Sequence, residues 1–153
     1  MLTLSAESRL RAAGVRVTAA RVKVLTELSR ASSAMTHQDF LVALPDMDRV
    51  TLYRSLECLI ANGLAHRITG GDRASRYGIE MEAGNPAHET GLPHRHGHFE
   101  CVSCAKVFCL SHTAGHYPNL QQILDDLSLT LGEGFQSDDI ELTIKGRCAD
   151  CIR

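Results

Sequence analysis

The sequence predicts an α+β fold in two modules, residues 1–79 and residues 94–153, joined by a hinge at residues 80–93. Helical periodicity dominates the first module, whereas five of the six cysteines and six of the eight histidines follow residue 87. Residues 1–79 hold 11 Lys and Arg against 7 Asp and Glu, and the remaining residues hold 5 against 11. A basic front and an acidic, ligand-rich back indicate modules with different partners. Gly, Pro and Asn cluster in the hinge, where periodicity is lost.

Two short amphipathic helices open the first module. The first is predicted at residues 3–13, and Gly14 follows at the position where glycine caps helix C-termini. Thr18 is placed to N-cap the second helix. The apolar positions of that helix recur at helical spacing and are Val22, Leu25 and Leu28.

The third and fourth helices have clear start and stop signals. Thr36 and Asp39 form a variant of the capping box, and the helix that they start ends before Pro45. The fourth helix begins after Asp48 and ends at Gly63. Its predicted buried stripe consists of Leu52, Leu56, Leu59 and Ile60. This stripe leaves three residues near the helix start on the outward face and its flank, namely Thr51, Tyr53 and Arg54.

A β-hairpin is predicted after the fourth helix. Residues 64–69 and 75–80 have strand-like patterns and flank the turn sequence GGDRA. Helices followed by a hairpin, with Arg54 outward on the last helix, form the layout of a winged helix-turn-helix. Such a domain docks its recognition helix in the major groove of double-stranded DNA. The pattern leaves open the alternative that these helices have only an ordinary buried face and a solvated face.

Two Cys-x-x-Cys pairs mark the second module, and they are Cys101 with Cys104 and Cys148 with Cys151. Four thiolates in paired knuckles suit tetrahedral zinc, so this spacing predicts a structural Zn²⁺ site. The 43 residues between the pairs are predicted to form a strand at 106–110, a helix at roughly 118–131 and a strand at 138–146. The alternatives are four unrelated core cysteines or a redox-active pair.

Three histidines alternate just before the first knuckle, at positions His94, His96 and His98. In an extended segment these side chains project to one side and Cys101 projects to the other, so the histidines do not easily share the knuckle's ion. Cys109, on the return strand, is placed to approach the same ion as the histidines. Two imidazoles, a thiolate and one further donor favour zinc over harder metals. The alternative is a row of solvated histidines on an edge strand.

Composition limits the class of protein and its compartment. The chain is 44% hydrophobic and 22% charged, which is typical of globular domains. It has no secretory apolar segment at its start and no run of about 18 apolar residues that would span a bilayer. We therefore expect a cytoplasmic protein without a membrane partner. The reducing cytoplasm favours thiolates over disulfides.

Four stretches, in this order, resemble the ferric uptake regulator family of bacterial metal-responsive repressors: AAGVRVTAARVKVL, VTLYRSL, HGHFECVSC and GRCADC. The resemblance covers essentially the whole chain. It implies an N-terminal winged helix, a hinge and an α/β dimerisation domain. It also implies a homodimer that binds palindromic operators when metal is present.

The resemblance implies roles for individual residues. The four knuckle cysteines match the family's structural zinc ligands, and His96 and His98 match the pair in its regulatory site. Arg16 matches a basic residue that enters the minor groove, while Tyr53 and Arg54 match positions where the recognition helix meets DNA. The predicted DNA contacts are therefore Arg16, Thr51, Tyr53 and Arg54.

Two departures from the family pattern bear on the sensed metal. Cys109 stands where iron-sensing members usually present glutamate, and Gly78 stands where they supply another carboxylate. Glu80, two residues later on the same strand face, is the expected fourth regulatory ligand, ahead of His88 and His94. A cysteine in the sensing site favours the zinc uptake regulator branch over the iron branch.

The family's additional metal site falls at positions that here are Arg95, Gly97 and Ile140. Because these are poor ligands, that site is not expected in the same form, although His112 and His116 could build one nearby. His37 is expected to be a surface residue, and His66 is expected to be solvated on the wing or near a DNA phosphate. Cys58 is expected to be a free thiol with no assigned role.

The combined prediction is a zinc-responsive, homodimeric repressor of metal-uptake genes with no small-molecule substrate. Its regulatory ion is Zn²⁺, and sensing of iron, manganese or peroxide with Fe²⁺ or Mn²⁺ is the alternative within the same family. A zinc-dependent hydrolase or deaminase, or a purely structural zinc module, is the alternative of another class. The deaminase signature has a glutamate between its first ligand and a Pro-Cys-x-x-Cys, which HGHFEC lacks, so no enzyme is expected.

Overall fold

The computed structural model describes residues 5–79, 97–110, 120–135 and 142–153. In these ranges the helices are α1 (Ala6–Ala12), α2 (Ala19–Arg30), α3 (His37–Ala43), α4 (Arg49–Ala61), α5 (Leu120–Leu129) and α6 (Ala149–Ile152). The strands are β1 (Met35–Thr36), β2 (Ala65–Thr69), β3 (Ser75–Ile79), β4 (Gly97–Cys101), β5 (Val107–Cys109) and β6 (Leu142–Gly146). This arrangement is the predicted α+β class, while the predicted hinge at residues 80–93 lies outside the described residues. Across these ranges, no helix has the length and apolar character needed to cross a membrane.

Polar caps and a glycine set the helix ends of the first unit, residues 5–79, as predicted. Thr18 Oγ1 accepts a hydrogen bond from the Arg21 backbone N–H at 3.3 Å. Asp48 Oδ1 accepts one from the Thr51 N–H at 2.9 Å. Each bond satisfies an amide that its own helix leaves unpaired. Gly14 follows α1 with a φ of +69°, a conformation that favours glycine.

The apolar faces of α1 to α4 and the hairpin share one core. Its buried members are Leu10, Val15, Val24, Leu25, Leu28, Phe40, Leu52, Leu56, Leu59, Leu64, Ala65, Tyr77 and Ile79. Ile60, from the predicted stripe of α4, is half-buried against this core. Strand β3 is central in the sheet order β1-β3-β2, and both neighbours pair with it antiparallel. The two-residue strand β1 was not predicted, because so short a segment has no readable alternation.

The second unit, which comprises the described residues from Gly97 onward, is built on a sheet of order β5-β4-β6. Strand β4 pairs antiparallel with β5 and parallel with β6. The parallel pairing places Gly146 opposite Cys101, so the residues that follow β6 return to the end of β4. The three predicted elements between the knuckles are present as β5, α5 and β6, although residues 136–141 lie outside the description.

Two backbone groups of the first unit donate hydrogen bonds to the second. The Ala34 N–H donates to the Val107 carbonyl oxygen at 2.7 Å. The Gly71 N–H, in the turn of the β2–β3 hairpin, donates to Glu100 Oε1 at 2.9 Å. Lys145 Nζ lies 3.7 Å from Glu100 Oε2, on the neighbouring strand. Strand β4 is therefore in contact with the tip of the hairpin.

The capping box at the start of α3 is a testable contribution to stability. Thr36 Oγ1 accepts from the Asp39 N–H at 3.2 Å, and Asp39 Oδ2 accepts from the Thr36 N–H at 2.7 Å. We expect Thr36→Ala to lower the free energy of unfolding by about 0.5–2 kcal/mol, because the Asp39 amide loses the hydroxyl that caps it. Urea denaturation followed by circular dichroism measures this loss. Thr36→Ser, which keeps the hydroxyl, should stay near the parent, and an unchanged Thr36→Ala midpoint would contradict the role.

Candidate metal centres

Four cysteines converge where β4 ends and α6 begins. The potential ligand atoms of Cys101, Cys104, Cys148 and Cys151 all lie within 4.8 Å of one another. Cys104 Sγ and Cys148 Sγ are 3.8 Å apart. A tetrahedral zinc ion with Zn–S bonds of about 2.3 Å has sulfur–sulfur edges of about 3.8 Å. The cluster therefore has the donor chemistry and the spacing of a closed Cys₄ zinc site, and none of the six cysteines forms a disulfide.

Hydrogen bonds within the cluster shift the pKa values of two of its cysteines in opposite directions. The Cys148 backbone N–H donates to Cys101 Sγ at 3.3 Å, and this bond lowers the pKa of the Cys101 thiol to about 6. Hydrogen bonding to Cys148 and then to Cys104 raises the pKa of Cys151 to about 12. These hydrogen bonds therefore favour the thiolate at Cys101 and the protonated thiol at Cys151. A metal ion bound here would displace that proton, because cysteine ligates as the thiolate.

A second cluster lies between the two units and combines His66, His98 and Cys109. Their potential ligand atoms also lie within 4.8 Å of one another. His98 and Cys109 are register partners across β4 and β5, so their side chains share one face of the sheet. His66 comes from β2 of the first unit, and its ring centroid is 5.7 Å from that of His98. An ion held by these three residues would join the hairpin to the second sheet.

Gly78 provides the space that the His66 ring occupies. It is the register partner of His66 across β2 and β3. A Cβ atom at position 78 would lie 2.8 Å from both Cε1 and Nε2 of His66, closer than real Cβ contacts come. Gly78 thus makes room for an imidazole on the opposite strand.

The expectation that His66 is solvated was wrong. His66 is 4% exposed and His98 is 7% exposed. The sequence pattern of the hairpin carries no sign of its neighbours in the second unit, whereas in the structure His98 of β4 and Cys109 of β5 lie against His66. Gly78 is the feature of the sequence that could have indicated the burial of His66. A glycine opposite a histidine in a predicted hairpin leaves room for the imidazole ring.

Strand alternation keeps the two clusters apart, as predicted. His98 and Cys101 are three positions apart on β4 and therefore point to opposite faces. Phe99, on the knuckle side, packs against Phe108 with ring centroids 6.1 Å apart. The other predicted metal ligands and their alternatives lie outside the described residues, and they are Glu80, His88, His94, His96, His112 and His116. Their roles stay predictions.

The predicted DNA-contacting side chains lie on the surface of the first unit. Tyr53 is 51% exposed, Arg54 and Arg16 are exposed, and Thr51 is half-buried. Thr51, Tyr53 and Arg54 lie on α4, whose buried side chains are in the core. The Arg16 backbone carbonyl accepts a hydrogen bond from Arg21 Nη1 at 2.7 Å, which orders the segment before α2.

Two residues outside the clusters also have defined surroundings. His37, expected on the surface, is partly exposed, and its ring lies between those of Tyr53 and Tyr77. Burial lowers the pKa of His37, the positive charge of Arg67 lowers it further, and Glu57 acts against both. Cys58 is half-buried against the helical core and belongs to neither cluster.

The knuckle geometry leads to a test of the Cys₄ site. We expect Cys104→Ser to lose about one zinc ion per protomer and to melt at a lower temperature, because metal binding and folding share one free energy at such sites. Zinc is measured by elemental analysis and melting by calorimetry. Cys58→Ser is the matched control and should keep parental zinc. A Cys104→Ser variant with the parent's zinc content and melting temperature would exclude the site.

A profile of the ferric uptake regulator family matches residues 12–144. The transcriptional regulator FurA of Mycobacterium tuberculosis is 30% identical over 146 residues, covering 94% of this chain and 87% of that protein. The peroxide operon regulator of Bacillus subtilis is 28% identical over 148 residues, covering 94% of this chain and 89% of that protein. A solved zinc uptake regulator complexed with zinc and DNA has a TM-score of 0.62 at 24% identity, covering 96% of this chain and 90% of that chain, which shows a shared fold.

These relatives are transcription regulators and not enzymes, in agreement with the prediction. The winged-helix unit, the second α/β unit and the four-cysteine cluster agree with the family's architecture. Because the profile spans most of the sequence, the chain belongs to the ferric uptake regulator family of metal-responsive transcription regulators.

Proposed function

We propose that this regulator senses zinc through the cluster of His66, His98 and Cys109 and represses metal-uptake genes as a homodimer. The observation that carries the proposal is a thiol between two imidazoles at the junction of the hairpin and the second sheet. Thiolate and imidazole donors favour zinc over iron(II) and manganese(II), which prefer more carboxylate or water oxygen. When bound, zinc would supply a positive charge at the junction, and donor atoms of both units would coordinate it.

Further ligands of this site are proposed from the sequence. His96 is two residues before His98, so both side chains would leave the strand on the same side. Glu80 follows β3 directly and is the proposed fourth ligand, with His88 and His94 as alternatives. The four knuckle cysteines would hold a second, structural zinc that closes the C-terminal end of the second unit.

Metal binding would act on DNA binding through the contacts around β4. His66 ties β2 to the site, and Glu100, two residues after His98, already accepts the hydrogen bond from the hairpin turn at Gly71. Both contacts limit rotation of the first unit against the second. A coupling of about 1–3 kcal/mol per site corresponds to a 5- to 150-fold change in operator affinity.

Helix α4 is proposed as the recognition helix in the major groove. Thr51, Tyr53 and Arg54 would face the bases and the flanking backbone, and Arg16 would contact the minor groove or phosphates. Two copies are needed to read a palindrome, because the half-sites lie about one helical turn apart or a multiple of it.

The second copy is proposed to cover the apolar side chains of the second unit. The exposed large apolar residues there include Ile123, Leu127, Leu129, Leu131, Phe135 and Ile144. An apolar face of this kind is typical of a protein interface rather than of a monomer's solvated surface. It also lies on the unit that is not proposed to bind DNA, so dimerisation would leave both copies of α4 available.

The thiolate in the sensing cluster leads to a test of the metal. We expect Cys109→Ser to keep the structural zinc and the dimer, but to need at least about tenfold more free zinc for half-maximal binding to an operator, since even outer-sphere partners of a metal contribute that much. Fluorescence anisotropy at buffered zinc measures the shift, and Cys58→Ser is the control. Parental zinc dependence in Cys109→Ser, with iron(II) activating at lower free concentration than zinc, would favour an iron sensor.

The proposed recognition helix is tested with two arginine variants. Arg54→Ala should weaken the free energy of operator binding by about 1–3 kcal/mol and relax the sequence preference of the protein, because a base contact is lost. Arg16→Ala should weaken binding to all sequences similarly and reduce the salt slope by about one. Both should keep parental zinc content. Gel-shift titrations at several salt concentrations make the comparison, and unaltered binding by both variants would remove α4 from the interface.

A further inference from the structure

His37 connects an exposed residue of α4 to the core of the first unit. Its ring stacks on Tyr53 with centroids 6.2 Å apart and planes at 21°. On its other side it meets Tyr77 edge-on, with centroids 5.0 Å apart and planes at 74°. His37 Nε2 and Tyr77 Oη are 3.4 Å apart. The three rings form a continuous row from solvent to core.

The inner end of this row is rigid. Tyr77 is 1% exposed, and its ring also contacts Phe40 edge-on at 6.4 Å. The Arg67 guanidinium lies 5.8 Å from the centre of the Tyr77 ring and forms an ion pair with Glu57. Glu57 is one turn after Tyr53 on α4. The hairpin therefore holds α4 at two successive turns, through the ring row and through the ion pair.

The outer end of the row is the exposed side chain of Tyr53. Tyr53 is 51% exposed, and the stacked ring of His37 limits the rotamers of the Tyr53 ring. A side chain that is already ordered loses less conformational entropy when it binds a partner. Stacked aromatic pairs are worth about 0.5–1.5 kcal/mol beyond the area that they bury.

We propose that His37 is a positioning residue for DNA recognition, which holds the Tyr53 ring in the orientation that reads the operator. This inference rests on the proposed function, in which α4 enters the major groove. His37 itself need not touch DNA. This role is distinct from stabilisation of α3. That helix is capped by the Thr36 side chain and is anchored in the core by Phe40.

A double-mutant cycle between His37 and Tyr53 tests the inference. The probe is a duplex selected from a random pool by the zinc-loaded parent chain, together with a scrambled duplex of the same length. We expect His37→Ala to weaken binding to the selected duplex about three- to tenfold, with little change on the scrambled one. In a Tyr53→Ala background the same substitution should change nothing further, because the ring that it positions is gone.

Two further variants separate stacking from hydrogen bonding and guard against misfolding. His37→Phe keeps a flat ring without a donor, and it should restore most of the lost preference. His37→Gln keeps a hydrogen bond toward Tyr77 Oη without a ring, and it should behave like His37→Ala. Zinc content and dimer state should remain parental in all three, and the melting temperature should fall only slightly where ring contacts are lost, since the capping box and core are untouched.

The outcomes separate this inference from the proposed function. If the parent selects no duplex with zinc, the proposed function and this inference both fail. If the parent selects one but the cycle is additive, or His37→Gln restores preference and His37→Phe does not, only the positioning role is overturned. A loss of affinity by His37→Ala that is equal on both duplexes also overturns it, since that result marks a structural role.

Discussion

Strand β4 organises both candidate metal sites, because successive side chains of a strand point to opposite faces. One face ends at Cys101 in the knuckle, and the other carries His98 toward the hairpin. The flanking strands complete each site, since β5 brings Cys109 opposite His98 and β6 returns the chain to the second pair of cysteines. A shift of one residue in the β4–β5 pairing would turn Cys109 away from the face of His98, and a shift in the β4–β6 pairing would displace the second pair of cysteines from Cys101.

In this arrangement one site would stabilise the second unit, and the other would respond to the sensed metal. The four-cysteine cluster draws all its donors from the second unit, so an ion there would strengthen that unit alone. The cluster of His66, His98 and Cys109 draws donors from both units, so an ion there would change the freedom of one against the other. Glu100 and Gly71 make a neighbouring contact that needs no metal, which means that the hairpin is already oriented toward the site.

Local signals in the sequence were sufficient for the helices and the knuckles. Caps at Thr18, Thr36 and Asp48 act on their own amides, and paired cysteines have few other structural solutions, so these predictions needed no knowledge of packing. The burial of His66 and the ring contacts of His37 were not predicted, because both depend on elements distant in sequence. The hairpin covers His37 through Tyr77, and β4 covers His66. The pattern of a single strand or helix carries no information on such contacts.

Anomalous diffraction at the zinc edge, from crystals of the zinc-loaded protein, shows whether donors from both units hold one metal ion. We expect one anomalous peak among the four cysteine sulfurs and a second peak between His66, His98 and Cys109. A second peak that lacks contact with His66, or that lies wholly within the second unit, would mean that the two units do not share an ion.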